Sequence, residues 1–140
     1  MKPPMGLRHV FVYGTLRLGE ERDINRLQPA PRRVGCAVVR GVMYQLDSYP
    51  GVLLSGAGLV HGEVYEISAE LERQLDAIEE VWPQPSGEYI KREIQVSLEG
   101  VAGQLEQAVC LFYEIAPERV LGKTVIASGD WVRHRVDSAV

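Results

Sequence analysis

Residues 10–17 read VFVYGTLR, and this stretch sets the frame for the rest of the chain. Its first four residues are apolar and either β-branched or aromatic, which is typical of a short strand buried on both faces. Gly14 ends this run and Thr15 follows it. Glycine allows a sharp turn and a close ligand approach, and successive backbone N–H groups in such a turn form a concave anion site. Two interpretations stay open here: a plain turn after the first strand, or a ligand-binding loop.

Further strands are predicted where apolar residues alternate along the chain or form short continuous runs. The predicted strands cover residues 32–46, 61–67, 89–98 and 108–115, with a bend or bulge at Gly41 in the first of them. The Tyr49-Pro50-Gly51 segment predicts a turn, and residues 128–131 predict a turn or loop near the C-terminus.

One clear helix is predicted over residues 68–81. Ser68 is a favourable N-cap, and Pro83 and Pro85 follow where a helix would have to stop. Apolar residues recur at helical spacing along one side, namely Leu71, Leu75, Ile78 and Trp82. Such a stripe is typical of a helix packed on a sheet.

The order of these elements indicates the fold class. Five or six strands with a single good helix in the middle favour an α+β fold over a doubly wound parallel sheet, because no helices separate successive strands. We expect a small mixed, partly closed β-barrel with one main helix packed beside it. All 140 residues fit one domain.

Composition excludes several classes of function. A net charge of −4 without a basic stripe argues against a nucleic-acid binder. No apolar segment is long enough for a membrane span or a secretory signal, so we expect a cytoplasmic protein. Cys36 and Cys110 lie far apart in apolar runs and are expected to be buried thiols. The three scattered histidines and the two cysteines lack metal-ligand spacing, so we expect no metal site.

Two carboxylates occupy the last turn of the predicted helix, where the helix dipole disfavours each by about 0.3–1 kcal/mol. Glu79 lies at the edge of the apolar stripe, whereas Glu80 follows Asp76 by one helical step and is expected on the solvated face with Glu72. A carboxylate among apolar neighbours has a raised pKa, which makes it a better general base near neutrality. Glu79 is therefore either a catalytic carboxylate or a half-buried one paired with a Lys or Arg. Tyr89 follows a Pro/Gly loop, from which its side chain could reach a cleft.

Four segments carry a resemblance to a known superfamily. They are VFVYGTLR at 10–17, YPG at 49–51 with VHGEVY at 60–65, LDAIE at 75–79 with YIKRE at 89–93, and SGDW at 128–131. In this order and spacing they span nearly the whole chain. Together they resemble the gamma-glutamylcyclotransferase-like superfamily, including its AIG2-like and gamma-glutamylamine cyclotransferase branches.

The resemblance implies the cyclotransferase fold and a reaction. The α-amino nitrogen of a gamma-glutamyl amine or amino acid attacks its own γ-carbonyl and releases 5-oxoproline. The resemblance puts the general acid/base at the end of the helix, at Glu79, and it implies neither a metal nor an organic cofactor. The residues expected to bind the substrate are Tyr13, Gly14, Thr15, Leu16 and Tyr89.

Two departures from the superfamily pattern keep an alternative open. Glu80 stands where the family usually has Gly, which would raise the pKa of a neighbouring Glu79 and change the helix exit. Lys91 stands where Arg is common. The alternative is a non-catalytic module that binds a small ligand on the same fold. Substrate identity and oligomeric state also stay open, with a homodimer as one alternative, and neither nucleic acid nor a membrane is an expected partner.

Overall fold

Strands make up most of the computed structural model, which describes residues 7–81, 84–99 and 105–138. Within this part the strands are β1 (Arg8–Val12), β2 (Arg32–Arg40), β3 (Val42–Gln45), β4 (Pro50–Leu53), β5 (Leu59–Ile67), β6 (Tyr89–Glu99), β7 (Leu105–Ile115) and β8 (Thr124–Val125). The helices are α1 (Ala69–Ile78) and α2 (Trp131–Ser138), and short 3₁₀ turns cover Ile24–Arg26 and Pro117–Val120.

Five strands close into a barrel in the order β1-β5-β2-β6-β7. All neighbours are antiparallel except β1 and β7, which run parallel with His9 opposite Cys110. The predicted α+β class and mixed barrel are confirmed, and the barrel is closed rather than partly closed. Closure follows from β1, whose Val10 and Phe11 are at most 1% exposed and which pairs along both edges.

A three-stranded sheet of order β4-β3-β8 lies outside the barrel strands. The predicted break at Gly41 is confirmed, because this residue separates β2 from β3. A side chain at Gly41 would come within 2.8 Å of the Leu53 carbonyl oxygen, so only glycine fits this bend.

The turn predicted at residues 49–51 is wrong. Pro50 and Gly51 begin β4 and lie opposite Gln45 and Tyr44 of β3. The turn comes earlier, where the Leu46 N–H donates to the Tyr49 carbonyl at 3.0 Å. Proline is tolerated as the first residue of an edge strand, because its missing N–H is not needed there.

Helix α1 begins as predicted and ends early. The Ser68 hydroxyl accepts the Leu71 N–H at 3.1 Å, and Leu71 and Leu75 are fully buried in one core cluster with residues of β1, β5 and β7. The helix ends at Ile78 rather than at residue 81. Trp82, which was expected to continue the apolar stripe, and Pro83, which was expected to end the helix, lie outside the described residues.

A second helix was not expected from the sequence. The turn lies slightly earlier than the predicted 128–131, because the Gly129 N–H donates to the Ile126 carbonyl at 3.0 Å and Trp131 is already the first residue of α2. Asp130 starts this helix by accepting the Arg133 N–H on its side chain at 3.2 Å. Trp131 is 4% exposed and belongs to the same hydrophobic core cluster as Phe11 and Phe112. Among the described residues, neither helix is long and apolar enough to span a bilayer.

The expectation for the two cysteines is half right. Cys110 is buried, as expected, but Cys36 is exposed. In β2 the residues that face the core are Ala37 and Val39. Because side chains alternate along a strand, Cys36 and Val38 point outwards.

Candidate active site

A cavity of about 270 Å³ lies where the end of β1, the start of β4, the end of α1 and the start of β6 meet. It brings together every residue that the sequence singled out for the site. These are Tyr13, Gly14, Thr15, Leu16, Glu79 and Tyr89. They come from three separate parts of the chain, so their shared cavity is a property of the fold and not of local sequence.

Other residues on the cavity wall were not expected. Ser48, Tyr49, Glu88, Arg22 and Tyr113 all line it. Arg22 lies in a polar segment without a clear pattern, and the others are ordinary surface or strand residues in the sequence. Only the apolar run that predicts β7 carried a usable signal, since it places Tyr113 in a central strand.

Gly14 is needed for packing. A Cβ atom there would lie 2.7 Å from Cγ of Pro50, so the loop after β1 touches the start of β4 only because glycine has no side chain. Substitution at Gly14 would therefore push the loop away from β4 before any ligand is involved. This gives the residue a structural role beside the ligand approach that the sequence suggested.

The loop itself is held by backbone hydrogen bonds. The N–H groups of Arg17, Arg22 and Ile24 donate to the carbonyls of Gly14, Thr15 and Leu16 at 2.8–3.0 Å. Among the hydrogen bonds of the described residues, by contrast, the N–H groups of Thr15 and Leu16 have no acceptor. Both residues line the cavity.

Arg17 fixes the far end of this loop. Its Nε donates to Glu63 of β5 at 3.0 Å, and its Nη1 donates to Asp130 before α2 at 2.9 Å. The Leu18 N–H also donates to Glu63, at 3.0 Å. The Arg17 and Glu63 side chains are 12% and 6% exposed, so the loop is tied to the barrel by a buried ion pair with further hydrogen bonds.

Glu79 is the C-cap residue of α1 and is half-buried against the cavity. The pKa of Glu79 is raised to about 7, chiefly by burial; Arg22 lowers this pKa, and the nearby carboxylates of Glu88 and Glu80 raise it. Among the described residues its carboxylate takes part in no salt bridge. A carboxyl group with this pKa is close to half ionised near neutral pH, and can both accept and donate a proton.

The exit of α1 turns the chain with a specific motif. The Val81 N–H donates to the Asp76 carbonyl at 2.9 Å, and the Glu80 N–H donates to the Ala77 carbonyl at 3.2 Å. Glu80 has a φ of 55°, a left-handed conformation that favours glycine. This hydrogen-bond pattern is a Schellman motif, and Glu80 adopts the left-handed geometry that the motif requires despite its side chain.

The last turn of α1 is anchored from behind. Asp76 is 8% exposed, and its carboxylate accepts from the Tyr113 hydroxyl at 2.7 Å and from Lys91 Nζ at 2.9 Å. Lys91 also pairs with Glu72 one turn earlier. Lys91 thus acts as an anchor for the helix that carries Glu79, with one contact to each of two carboxylates rather than a bidentate contact to one.

Tyrosine side chains form much of the cavity wall. The Tyr13 hydroxyl donates to the Tyr113 carbonyl at 2.7 Å, and the Tyr89 hydroxyl donates to the Pro50 carbonyl at 2.9 Å. The Tyr49 hydroxyl donates to Glu88 at 2.6 Å. Burial raises the pKa of both Tyr13 and Tyr89 well above the usual value, so both stay neutral hydrogen-bond donors.

Charge in the cavity is mostly negative. Among the described residues, four carboxylates line it, those of Glu21, Glu79, Glu80 and Glu88, against the single guanidinium of Arg22. No group of three or more His, Cys, Asp or Glu side chains is arranged to hold a metal ion in the part of the chain that the structure describes.

Residues 10–133 match the family model described as "Gamma-glutamyl cyclotransferase, AIG2-like". The gamma-glutamylcyclotransferase family protein YtfP of Escherichia coli K12 is 31% identical over 123 residues, which cover 88% of this chain and 95% of that protein. The gamma-glutamylaminecyclotransferase of Rattus norvegicus is 31% identical over 125 residues, or 79% of each chain. The solution structure of Escherichia coli YtfP superposes with a TM-score of 0.63 at 29% identity, covering 91% of this chain and 98% of that one.

Two other curated relatives are matched over only part of their length. The match covers 62% of a relative from Vibrio cholerae. It covers 51% of the gamma-L-glutamyl-butirosin B gamma-glutamyl cyclotransferase of Niallia circulans, at 32% identity over 80 residues.

Proposed function

The chain belongs to the AIG2-like gamma-glutamyl cyclotransferase family, and from this premise we propose that it is an enzyme that cyclises a gamma-glutamyl amine or amino acid. The products are 5-oxoproline and the free amine. The observation that carries the proposal is a half-buried glutamate with a pKa of about 7, which faces the same cavity as the loop at residues 13–16.

The reaction makes one carbon–nitrogen bond and breaks another. The α-amino nitrogen of the substrate bonds to its own γ-carbonyl carbon, and the bond from that carbon to the leaving nitrogen breaks. Both reacting groups belong to one molecule, so the protein mainly has to select the folded-back conformer. Tyr13 is buried and Tyr89 is half-buried in the cavity wall, and each is fixed by a hydrogen bond, so this wall restricts the conformers that fit.

Protons move through Glu79 in this proposal. The α-amino group is an ammonium at neutral pH and cannot attack until it loses a proton. The ionised carboxylate takes one proton from the ammonium, and the protonated carboxyl gives it to the leaving nitrogen. The attacking nitrogen loses a second proton when the lactam N–H forms, and Glu79 passes this proton to the released amine, which leaves as an ammonium ion while Glu79 returns to its starting form. A pKa near 7 suits both steps, because neither form is strongly favoured at neutral pH.

Charge on the substrate has counterparts on the cavity wall. The N–H groups of Thr15 and Leu16 have no acceptor among the described residues, and they are suited to the oxyanion that develops on the γ-carbonyl oxygen. Arg22 is the single cation on the cavity wall as described, and it is suited to the substrate α-carboxylate.

A substrate panel tests the proposal. Purified protein is incubated with gamma-glutamyl amides of amines and of amino acids, and 5-oxoproline is measured by chromatography. Formation of 5-oxoproline from at least one amide, and its absence with the corresponding α-glutamyl amide, is the expected result. A silent panel combined with saturable ligand binding would instead favour the non-catalytic binding module.

A further inference from the structure

Glu88 is a half-buried residue on the wall of the candidate active site, and the proposed reaction gives it no role. It directly precedes β6, and its backbone carbonyl accepts the Ala116 N–H at 2.8 Å. The next residue, Tyr89, is held by its hydrogen bond to the Pro50 carbonyl. The backbone that carries Glu88 is therefore fixed by contacts to two other parts of the chain.

Tyr49 orients the Glu88 carboxylate. Its hydroxyl donates to Oε2 of Glu88 at 2.6 Å. This hydrogen bond is the main reason why the pKa of Tyr49 is raised to about 12, so the hydroxyl stays a donor at neutral pH. In the part of the chain that the structure describes, Oε1 of Glu88 accepts no hydrogen bond, and the carboxylate belongs to no salt bridge. The carboxylate is thus held through one oxygen, while the other has no protein partner there.

The charge of Glu88 reaches the centre of the candidate site. Burial is the largest cause of the raised pKa values of Glu79, Tyr13 and Tyr89, and the charge of Glu88 raises all three. These residues come from different elements and line the same cavity. Because the interaction of two charges weakens with distance, the Glu88 carboxylate lies close to Glu79 on the shared wall.

The proposed substrate carries two opposite charges on its α-carbon, a carboxylate and an ammonium. Arg22 is suited to the carboxylate, and its charge also acts on Glu79. Both substrate charges are bonded to one carbon, so a carboxylate held by Arg22 brings the ammonium to the same part of the wall. Glu79 is only about half ionised near neutral pH because its pKa is about 7, and it therefore supplies only part of a counter-charge.

We propose that Glu88, oriented by Tyr49, binds the α-ammonium of the substrate and so selects gamma-glutamyl compounds whose α-amino group is free. In this arrangement Glu88 keeps its charge throughout the reaction and takes no proton, whereas Glu79 carries the protons. Two carboxylates in one cavity thus have different tasks because their surroundings differ. The proposal rests on the proposed cyclotransferase function, since it assigns the residue that recognises the nucleophile of that reaction.

Two ligands that differ only in the α-amino group test the proposal. They are L-γ-glutamyl butylamide and N-butylglutaramate, and the second cannot cyclise because it lacks the nucleophile. Calorimetry gives the Kd of each in the Glu79→Gln protein, in which turnover is slow. We expect the added Glu88→Gln change to weaken binding of the butylamide about tenfold, because a hydrogen bond to a charged group contributes more than a neutral one. N-butylglutaramate should bind equally well or up to about threefold more tightly, because this anion loses a repulsive neighbour.

Two further variants separate the charge of Glu88 from its structural contact. Glu118→Gln is the matched control, because this exposed glutamate lies in the 3₁₀ turn after β7 and off the cavity wall. It should leave both Kd values within about twofold of the parent, as expected for an exposed charge. Tyr49→Phe removes the hydrogen bond but keeps the charge, so it should weaken the butylamide by about threefold at most. Circular dichroism verifies that each variant is folded.

The outcomes separate the two proposals. If Glu88→Gln weakens both ligands equally, changes neither, or has no greater effect than Tyr49→Phe, then Glu88 does not bind the ammonium, while 5-oxoproline formation by the parent protein still supports the reaction. If the parent forms 5-oxoproline from no gamma-glutamyl amide, the proposed reaction is wrong and the role of Glu88 is overturned with it.

Discussion

At the scale of single residues, the pKa of Glu79 depends on burial more than on any one neighbour. The side chain leaves α1 at its last residue and meets the cavity, where water is partly excluded. Glu88 and Glu80 add negative charge, and Arg22 offsets part of their effect. Because burial is the largest cause, the removal of one neighbouring charge changes this pKa only in part, whereas opening the cavity to water would change it most.

Replacement of Glu79 by glutamine tests its role directly. Glu79→Gln keeps the shape of the side chain but cannot accept the proton, and general-base catalysis is typically worth about 10²–10⁴-fold. We therefore expect kcat on an active amide to fall by at least about 10²-fold while KM changes little. Steady-state kinetics of 5-oxoproline formation give both values.

Glu80→Gln is the control for this prediction. Glu80 is exposed and acts on Glu79 only through its charge, so its replacement should cost little rate. It should lower the pKa of Glu79 and move the acid limb of the pH–rate profile to lower pH. A large loss of rate in Glu80→Gln, with near-normal turnover in Glu79→Gln, would show that Glu80 and not Glu79 is the base.

The raised pKa of Glu79 also makes stability depend on pH. The folded protein holds the Glu79 proton up to about pH 7, whereas the ordinary carboxyl value is 4.5. The stabilising contribution is therefore complete below about pH 4.5 and is lost as the pH rises to about 7. Glu79→Gln has no such titration, so its unfolding free energy relative to the parent should rise between these pH values and then level off. Urea denaturation at a series of pH values measures the difference, and a constant difference would contradict the raised pKa.

The sequence predicted Glu79 as a candidate catalytic residue, but it did not predict which residues surround Glu79 in the cavity. A carboxylate at a helix C-terminus is locally unfavourable, and this conflict pointed to the residue. Arg22 and Glu88 break no local rule, and they come to Glu79 only through the fold. Tyr113 lies in a strand that the sequence did predict. Its hydrogen bond with Asp76 joins residues 37 positions apart, and no local sequence pattern predicts a contact over that distance.

At the scale of elements, the end of α1 rests on one strained residue. Glu80 has a positive φ, which costs a residue with a side chain about 1–2 kcal/mol. Glu80→Gly should relieve this strain, and part of the gain is lost to the greater freedom of glycine in the unfolded chain. We expect a net gain of up to about 1 kcal/mol in the free energy of unfolding, measured by chemical denaturation.

Glu80→Ala is the matched control for the helix exit. It removes the same carboxylate but keeps a Cβ atom at the positive φ, so the strain remains. Glu80→Gly should therefore be more stable than Glu80→Ala. Equal stability of the two variants would mean that the left-handed conformation is not strained in this protein.

Strands and helices were predicted well where one hydrophobic periodicity dominates, and poorly where a single residue determines the type of element or where it starts. The apolar runs of β1 and β7 and the cap of α1 identified those elements. In β2, both sets of alternating positions are largely apolar, so alternation predicted the strand without showing that Cys36 faces outwards. The segment at residues 49–51 predicted a turn because proline and glycine are common in turns, but both residues are also tolerated in an edge strand, as in β4. Helix α2 has only a weak apolar stripe, and its start depends on Asp130.

At the scale of the whole molecule, Arg17 joins three parts of the fold. It connects the loop after β1 to β5 through Glu63 and to the start of α2 through Asp130. Arg17→Met would leave the Glu63 carboxylate, whose side chain is 6% exposed, without its cation. Removal of one partner of a buried ion pair typically costs about 3–5 kcal/mol, and we expect a loss of that order in the free energy of unfolding.

Arg32→Met is the control at this scale. Arg32 also pairs with a glutamate of β5, but its side chain is 66% exposed. Exposed pairs are worth about 1 kcal/mol or less, so this variant should unfold at nearly the parent denaturant concentration. Similar losses in both variants would show that the Arg17 contacts are no stronger than an ordinary surface pair.

The parallel contact between β1 and β7 has a consequence for how the protein folds. It joins His9 to Cys110, so the barrel closes only after nearly the whole chain has been synthesised. Contacts between residues so distant in sequence slow folding, because the entropy of closing a long loop must be overcome first. The loop at residues 13–16 leaves β1 directly beside this seam. Hairpins such as β6–β7 can therefore form early, and the cavity that holds Glu79 becomes complete only when the first strand docks against the seventh.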